Sequence, residues 1–238
     1  MLSSIDRAVV TFLNQFVGRA PALDALLAAV SVNDLVKGNA VMAVLWMLWF
    51  SPWPACQGPA RRAGLIAGLA GSIAALALTR LLSLVLPFSA RPLHEPALHL
   101  VTPAGLAPTS YSDFSSFPSD HAALFVGLAV TISFASRRWG LIVLAYVLAV
   151  ICLPRLYLGL HYPSDLLAGA LTGAGAAIAA RWLLAQQSRL AGAIAAWSYR
   201  RLPAFYALFF LVTFQVATLF HHARALGRLV IPLLLPGR

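Results

Sequence analysis

Long apolar runs divide this chain, and they constrain its fold more than any other feature of the sequence. The clearest run, residues 63–79, carries no charge at all. Similar runs cover 122–136, 139–154, 166–180 and 202–220. Such runs are typical of helices that cross the roughly 30 Å hydrocarbon core of a bilayer. With 61% hydrophobic and 10% charged residues, the chain differs from soluble domains, in which about a quarter of residues are charged. We therefore predict an all-α, polytopic membrane helix bundle.

The N-terminal segment follows a different pattern. Residues 3–18 alternate polar and apolar side chains at helical spacing, which is typical of a helix lying on the membrane surface. A short helix over 22–30 is then interrupted by polar residues before an apolar run resumes. We expect about six transmembrane helices, with an N-terminal interfacial helix. The predicted division is 1–34 for interfacial or re-entrant helices, 35–222 for the membrane domain and 223–238 for a basic tail.

The arginines indicate an orientation in the membrane. The net charge is +10, but the loops 51–62, 137–138 and 181–201 alone hold eight arginines and no acidic residue. Short loops that are rich in arginine face the cytoplasm. The opposite helix ends should then face outward. This distribution favours bilayer topology over nucleic-acid binding, and nothing in the sequence indicates an oligomeric state.

Two polar motifs stand at the starts of apolar runs. Residues 115–121 read SSFPSDH, and residues 161–165 read HYPSD. Proline suits the first turn of a helix, where its missing N–H needs no partner, so we expect Pro118 in that turn and Ser116 as its cap. Two helix starts would offer free N–H groups and positive dipole ends to a phosphate or another anion.

The side chains around these motifs suit phosphoryl transfer. Arg155, His161 and Asp165 place a cation, an imidazole and a carboxylate around one helix start. A carboxylate can orient a nucleophilic imidazole, and a second histidine, His121, can protonate the leaving oxygen. Arg91 and Arg155 carry planar, permanently charged groups that match phosphate oxygens. This pattern predicts transfer through a phosphohistidine.

Other interpretations of these residues stay open. Taken singly, each histidine could be an interfacial side chain, and each aspartate could complement a helix dipole. His121, His161 and Asp165 could supply three zinc ligands, but two arginines would repel a dication, so we expect no metal. A transporter or scaffold could also bind anionic headgroups without hydrolysis. The spans disfavour that alternative, because Arg80 is the charged residue inside otherwise apolar runs.

Three motifs resemble the type 2 phosphatidic acid phosphatase family, whose signature reads K-x6-R-P, P-S-G-H and S-R-x5-H-x3-D. The resemblance covers about residues 60–185. The matching residues, in the order of the three parts, are Arg91 and Pro92; Pro118, Ser119, Asp120 and His121; and Arg155, His161 and Asp165. Asp120 in place of the glycine resembles the bacterial undecaprenyl-diphosphate phosphatases of the bacitracin-resistance type, as does the short chain.

The resemblance implies a lipid phosphatase of the bacterial inner membrane that needs no metal or cofactor and acts at the outer face. His161 would be the nucleophile, Asp165 its orienting partner and His121 the acid for the leaving group. The phosphate would be held by Arg91, Arg155, Ser119, Pro118 and the backbone around Asp120. The expected substrate is a polyprenyl diphosphate, with phospholipid or lipid A headgroups as alternatives.

Three departures from the signature bear on phosphate binding. Leu84 occupies the position of the family lysine, and Arg80, one helical turn earlier, could reach the same place. We therefore expect Arg80 to bind substrate. Pro154 replaces a serine and removes one hydroxyl. Asp120 adds a carboxylate beside the phosphate, which is unfavourable unless that carboxylate is paired, points away or holds a proton.

Overall fold

The computed structural model describes residues 3–52, 57–107, 112, 114–186, 188–224 and 226. These residues form ten α-helices and no strand, which confirms the predicted all-α class. The helices are α1 Ser4–Asn14, α2 Pro21–Val32, α3 Ala40–Phe50, α4 Gly58–Val85, α5 Asp120–Ala135, α6 Arg137–Tyr146, α7 Leu153–Tyr157, α8 Pro163–Gln186, α9 Ser188–Arg200 and α10 Leu202–Ala217. Two π-helical segments, Leu35–Asn39 and Val147–Cys152, join α2 to α3 and α6 to α7.

Several helices are suited to a membrane. Helices α4 and α8 are long and apolar enough to cross it, as is the continuous helical run Arg137–Tyr157. Helices α2 and α3 pass the same test together, although they are bent by 66° at the break between them. Helices α5 and α10 are apolar and 16 residues long. The chain is therefore an integral membrane helix bundle, and the expected number of about six spans stays a prediction.

Helix α5 is the centre of the bundle, and glycines bring α8 into backbone contact with it. A Cβ on Gly173 would lie 1.9 Å from the carbonyl oxygen of Ala123, and one on Gly169 would lie 2.2 Å from that of Ser119. Small residues allow this close approach between membrane helices. The starts of α5 and α8 consequently lie side by side, and the Ser119 N–H donates to the carbonyl of Asp165 at 3.1 Å.

The opposite end of the bundle carries arginines. Arg61, near the start of α4, donates to the carbonyl of Ala135 at the end of α5 at 2.5 Å. Arg181, near the end of α8, lies against Gly64 of α4. Because α4 runs antiparallel to α5 and α8, these cations are a full helix length away from the starts of α5 and α8.

The N-terminal helices brace the end where α5 and α8 begin. The Asp6 carboxylate accepts from the N–H and the hydroxyl of Ser164, at 2.9 and 2.8 Å, in the first turn of α8. Asp24 in α2 accepts from the hydroxyl of Tyr157 at 2.5 Å and from the N–H of Gly18 at 2.8 Å. The predicted division at residue 34 stays a prediction. Most of the predicted tail, 223–238, lies outside the described residues.

Candidate active site

A cavity of about 630 Å³ lies where α5 and α8 begin. It brings together most of the residues that the sequence predicted for the site, since its lining includes Arg80, Arg91, Pro118, Asp120, His121, Arg155 and His161. Two predicted residues, Ser119 and Asp165, are buried behind that lining. Five of the lining side chains are cationic and one, Asp120, is a carboxylate, so the cavity suits an anion.

His161 is held in one orientation by its ring nitrogen Nδ1. This side chain is 3% exposed and lies in the loop between α7 and α8. Its Nδ1 lies 3.0 Å from the carbonyl oxygen of Ser116 and 3.5 Å from Oδ2 of Asp165. A carbonyl can only accept, so Nδ1 carries the hydrogen and Nε2 keeps its lone pair. Nε2 lies 3.4 Å from the guanidinium of Arg91.

The surroundings of His161 favour its neutral form. Burial lowers the pKa of His161 from its ordinary value of 6.5, and the positive charges of Arg91 and Arg155 lower it further. The hydrogen bond to Asp165 and the charge of that carboxylate oppose this shift. The imidazole is therefore neutral at pH 7, which is the state that a nucleophile requires.

The carboxylate of Asp165 is held in place by two hydrogen-bond donors. Its Oδ2 accepts from the hydroxyl of Ser116 at 2.5 Å and from the N–H of Tyr162 at 2.8 Å. The carboxylate is 2% exposed, so its negative charge is satisfied inside the protein and held away from the cavity. It can then orient His161 and stabilise a positive charge on that ring.

Ser116 therefore has a different place from the predicted one. The expectation that it caps a helix starting at Pro118 is wrong, because α5 begins at Asp120 and its N-cap is Ser119. The Ser119 hydroxyl accepts from the N–H of Ala122 at 3.4 Å. Ser116 instead contacts a carboxylate 49 residues later, a tertiary contact that local sequence cannot reveal. The predicted contact of the fully buried Ser119 with phosphate stays a prediction. For the other motif, Pro163 opens α8 as expected.

Asp120, which stands where the family has glycine, is paired through both of its oxygens. Its Oδ1 lies 2.6 Å from Nδ1 of His121, and its Oδ2 is bonded to the guanidinium of Arg80. This pairing compensates the negative charge of Asp120, which would otherwise be unfavourable beside a phosphate. It also occupies Nδ1 of His121 and leaves Nε2 of that ring available for proton transfer.

Arg91 and Arg155 approach His161 from separate parts of the chain. Arg91 comes from the long connection between α4 and α5 and donates to the carbonyl of Leu160 at 2.6 Å. Arg155 lies in α7, is 4% exposed and donates to the carbonyls of Ile151 and Ser31 at 3.1 and 3.4 Å. The two guanidiniums therefore have fixed positions near the imidazole.

Three ionisable residues of the cavity lining were not predicted from the sequence. They are Lys37, His221 and Arg224. Lys37 lies in the break between α2 and α3, and the other two follow α10, where Leu219 and Phe220 adopt φ values of 47° and 57° and turn the chain. A signal for Lys37 was present, because it is the single lysine of the sequence and lies in the polar interruption of an apolar run.

In the part of the chain that the structure describes, no three His, Cys, Asp or Glu side chains converge as metal ligands would. The metal-free mechanism stays a prediction, which the chelator experiment below tests.

A membrane-embedded helix bundle with two carboxylate-paired histidines beside guanidiniums defines the class of integral-membrane phosphatases. Residues 68–189, just over half of the chain, match the PAP2 superfamily. The chain belongs to this superfamily, whose members are phosphatases, as the motifs predicted. No solved structure matches the chain significantly.

Short segments of the chain are similar to bacterial proteins with related names. The bacitracin transport permease protein BcrC of Bacillus licheniformis is 37% identical over 29% of this chain and 33% of its own length. The lipid A 4'-phosphatase of Bacteroides thetaiotaomicron is 48% identical over 24% of this chain and 26% of its own. The putative undecaprenyl-diphosphatase YbjG of Escherichia coli K12 is 40% identical over 24% and 29%. These matches span about a quarter to a third of the relatives' lengths.

Proposed function

We propose that this protein is an integral-membrane lipid phosphatase that cleaves a polyprenyl diphosphate, such as undecaprenyl diphosphate, to the monophosphate and inorganic phosphate. One observation carries the proposal: Nε2 of His161, with its lone pair, shares a cavity with the guanidiniums of Arg91 and Arg155 and with His121, which is paired to Asp120. Family membership supports the phosphatase class. Similarity to the putative undecaprenyl-diphosphatase supports the substrate.

In the first step, Nε2 of His161 attacks the terminal phosphorus. A P–N bond forms and the P–O bond to the leaving group breaks. His121 acts in its protonated form, with Asp120 on its Nδ1–H, and transfers the proton on its Nε2 to the leaving oxygen. Asp165 stabilises the positive charge that develops on the His161 ring. Arg91 and Arg155 hold the non-bridging oxygens of the transferred phosphate. The lipid monophosphate leaves.

In the second step, water attacks the phosphohistidine. His121 accepts a proton from this water, the P–N bond breaks, and inorganic phosphate leaves while His161 returns to its neutral form. The sum of the two steps consumes one lipid diphosphate and one water. Neither step requires a metal, because the permanently charged arginines stabilise the charge of the transferred group.

The substrate tail would lie along the apolar side of the cavity. Leu84, Leu86 and Phe88 line the cavity and are 83%, 38% and 62% exposed, so they can contact both lipid and substrate. The arginine-rich end of the bundle is the opposite end, and arginine-rich ends face the cytoplasm. This arrangement supports a site on the outer face of a bacterial inner membrane, where headgroups enter from the leaflet.

A lipid A or phospholipid headgroup is the alternative substrate. The similarity to the lipid A 4'-phosphatase favours it, and the same two steps would release phosphate from a monoester. The two substrates differ in the leaving group, which is a phosphate in one case and an alcohol in the other.

The test is phosphate release by purified wild type and His161→Ala, in chelator, from undecaprenyl diphosphate, phosphatidate and lipid A. We expect selective release from the diphosphate by wild type and none by the variant. His222→Ala is the matched control, since this exposed histidine is not part of the cavity lining. Substantial turnover by His161→Ala would refute the covalent mechanism, and activity that requires added metal would revive the zinc alternative.

A further inference from the structure

We propose that Lys37 binds the lipid-side phosphate of a diphosphate substrate and thereby makes the site selective for diphosphates over monophosphates. This inference rests on the proposed function and adds a specificity residue to it. Lys37 belongs to none of the three signature motifs. It enters the cavity from the N-terminal part of the chain, at the break between α2 and α3.

The break that carries Lys37 has its own local structure. The side-chain oxygen of Asn33 accepts from the N–H groups of Leu35 and Val36 at 2.9 and 3.2 Å, which ends α2 and starts the next turn. That turn is π-helical over Leu35–Asn39. Isolated π-helical turns occur frequently at functional sites, since they redirect a side chain within a helix.

Neighbouring helices hold this turn in place. A Cβ on Gly38 would lie 1.9 Å from the carbonyl oxygen of Ala217, so the backbone of the turn packs directly against the end of α10. On another side, the hydroxyl of Tyr146 donates to the carbonyl of Val36 at 2.5 Å. Packing against these helices therefore holds the backbone at Lys37 in place.

The charge of Lys37 is only partly compensated. Its ammonium lies 3.1 Å from Asp34, and the two side chains are 7% and 35% exposed. The positive charge of Arg155 acts on it unfavourably. An ammonium has three donors, and taking it out of water is unfavourable unless several of them are satisfied. A phosphate in the cavity would supply acceptors and screen the repulsion between the two cations.

Lys37 lines the same cavity as His121, the proposed acid for the leaving oxygen, and as Asp120, which is paired to that histidine. Because Arg91 and Arg155 are assigned to the transferred phosphate, we assign Lys37 to the leaving group. When the leaving group is an alcohol, no anion lies on that side beyond the transferred phosphate. When it is a phosphate, a second anion is present, and Lys37 is positioned to bind it.

The experiment compares kcat/KM for farnesyl diphosphate and farnesyl monophosphate in wild type, Lys37→Met and Lys37→Arg. One hydrogen bond between charged groups corresponds to about a 10- to 100-fold effect. We expect Lys37→Met to lose that much on the diphosphate and less than about 3-fold on the monophosphate, with partial rescue by Lys37→Arg. Equal losses on both substrates would overturn the proposal.

Asp34→Asn is the matched control for a merely structural ion pair. It breaks the same pair but leaves the ammonium in the cavity, so its loss on the diphosphate should be much smaller than that of Lys37→Met. If the two losses were equal, Lys37 would act only by holding the turn, and the proposal would be wrong.

A binding measurement separates this proposal from the proposed function. Because Lys37 is the single lysine, carbamylation by cyanate at this residue can be followed by peptide mass spectrometry. Inorganic diphosphate should slow the modification more than inorganic phosphate does. Protection without turnover of either lipid would keep Lys37 as a diphosphate ligand and refute the hydrolase. Absence of protection would refute the role of Lys37.

Discussion

The pairing of Arg80 with Asp120 leads to a prediction that a double-mutant cycle can test. Arg80→Ala removes a cation from the cavity and also leaves the Asp120 carboxylate poorly paired beside a negatively charged substrate. Bonds between charged groups contribute about 1.5–3 kcal/mol. The side chains of Arg80 and Asp120 are 35% and 23% exposed, so solvent screening reduces the expected coupling to about 1–2 kcal/mol. That coupling corresponds to about 5- to 30-fold in kcat/KM.

The assay is phosphate release by wild type, Arg80→Ala, Asp120→Gly and the double variant. The double variant should be about 5- to 30-fold more active than the product of the two single effects predicts. Leu84→Ala is the control, because Leu84 stands at the position of the family lysine and is 83% exposed; its loss should be far smaller than that of Arg80→Ala. Additive single effects would show that Arg80 and Asp120 act independently, and equal losses for Arg80→Ala and Leu84→Ala would remove Arg80 from the site.

Three further predictions concern His161 and its partners. Because burial lowers the pKa of His161 below 6.5, the nucleophile stays neutral in mild acid. The midpoint of the acid limb of the kcat/KM profile should therefore lie below pH 6.5. A midpoint above pH 6.5 would contradict this assignment. The same shift makes stability decline as pH falls from 6.5 towards the lowered pKa, since the unfolded chain binds the proton more readily. Ser116→Ala should lower kcat/KM about 5- to 100-fold and move the acid limb to higher pH, because Asp165 then interacts more strongly with His161. Ser133→Ala is its control, since that hydroxyl bonds to Val130 within α5, and an unchanged pH profile for Ser116→Ala would exclude the positioning role.

The predicted site residues were found most reliably where the chemistry is local. Arg155, His161 and Asp165 lie within eleven positions of one another, in α7, in the loop that follows it and in the first turn of α8. The spacing alone therefore indicated a cation, an imidazole and a carboxylate at one helix start. Arg91 could be proposed from its motif, but its contact with the carbonyl of Leu160 spans 69 positions and depends on the path of the connection.

The errors and omissions involve contacts between distant segments. Ser116 looked like a cap because serine before proline is a common helix start, but its hydroxyl bonds to Asp165. Lys37 looked like part of an interrupted span, although the 66° bend and the packing of Gly38 on α10 bring it to the cavity. His221 and Arg224 reach the same cavity after a turn that begins beyond α10.

Membrane class, helical fold and phosphatase family could all be derived from the residues in order along the chain. Hydropathy, helix-start chemistry and motif spacing act over a few turns, so each segment carries its own signal. Three features could not be derived in this way: the pairing of Asp120 with Arg80, the hydrogen bond from Ser116 to Asp165, and the position of Lys37 in the cavity. They depend on how closely glycines let helices approach each other and on the angle at the break between α2 and α3. Packing between segments more than forty residues apart determines both the approach and the angle.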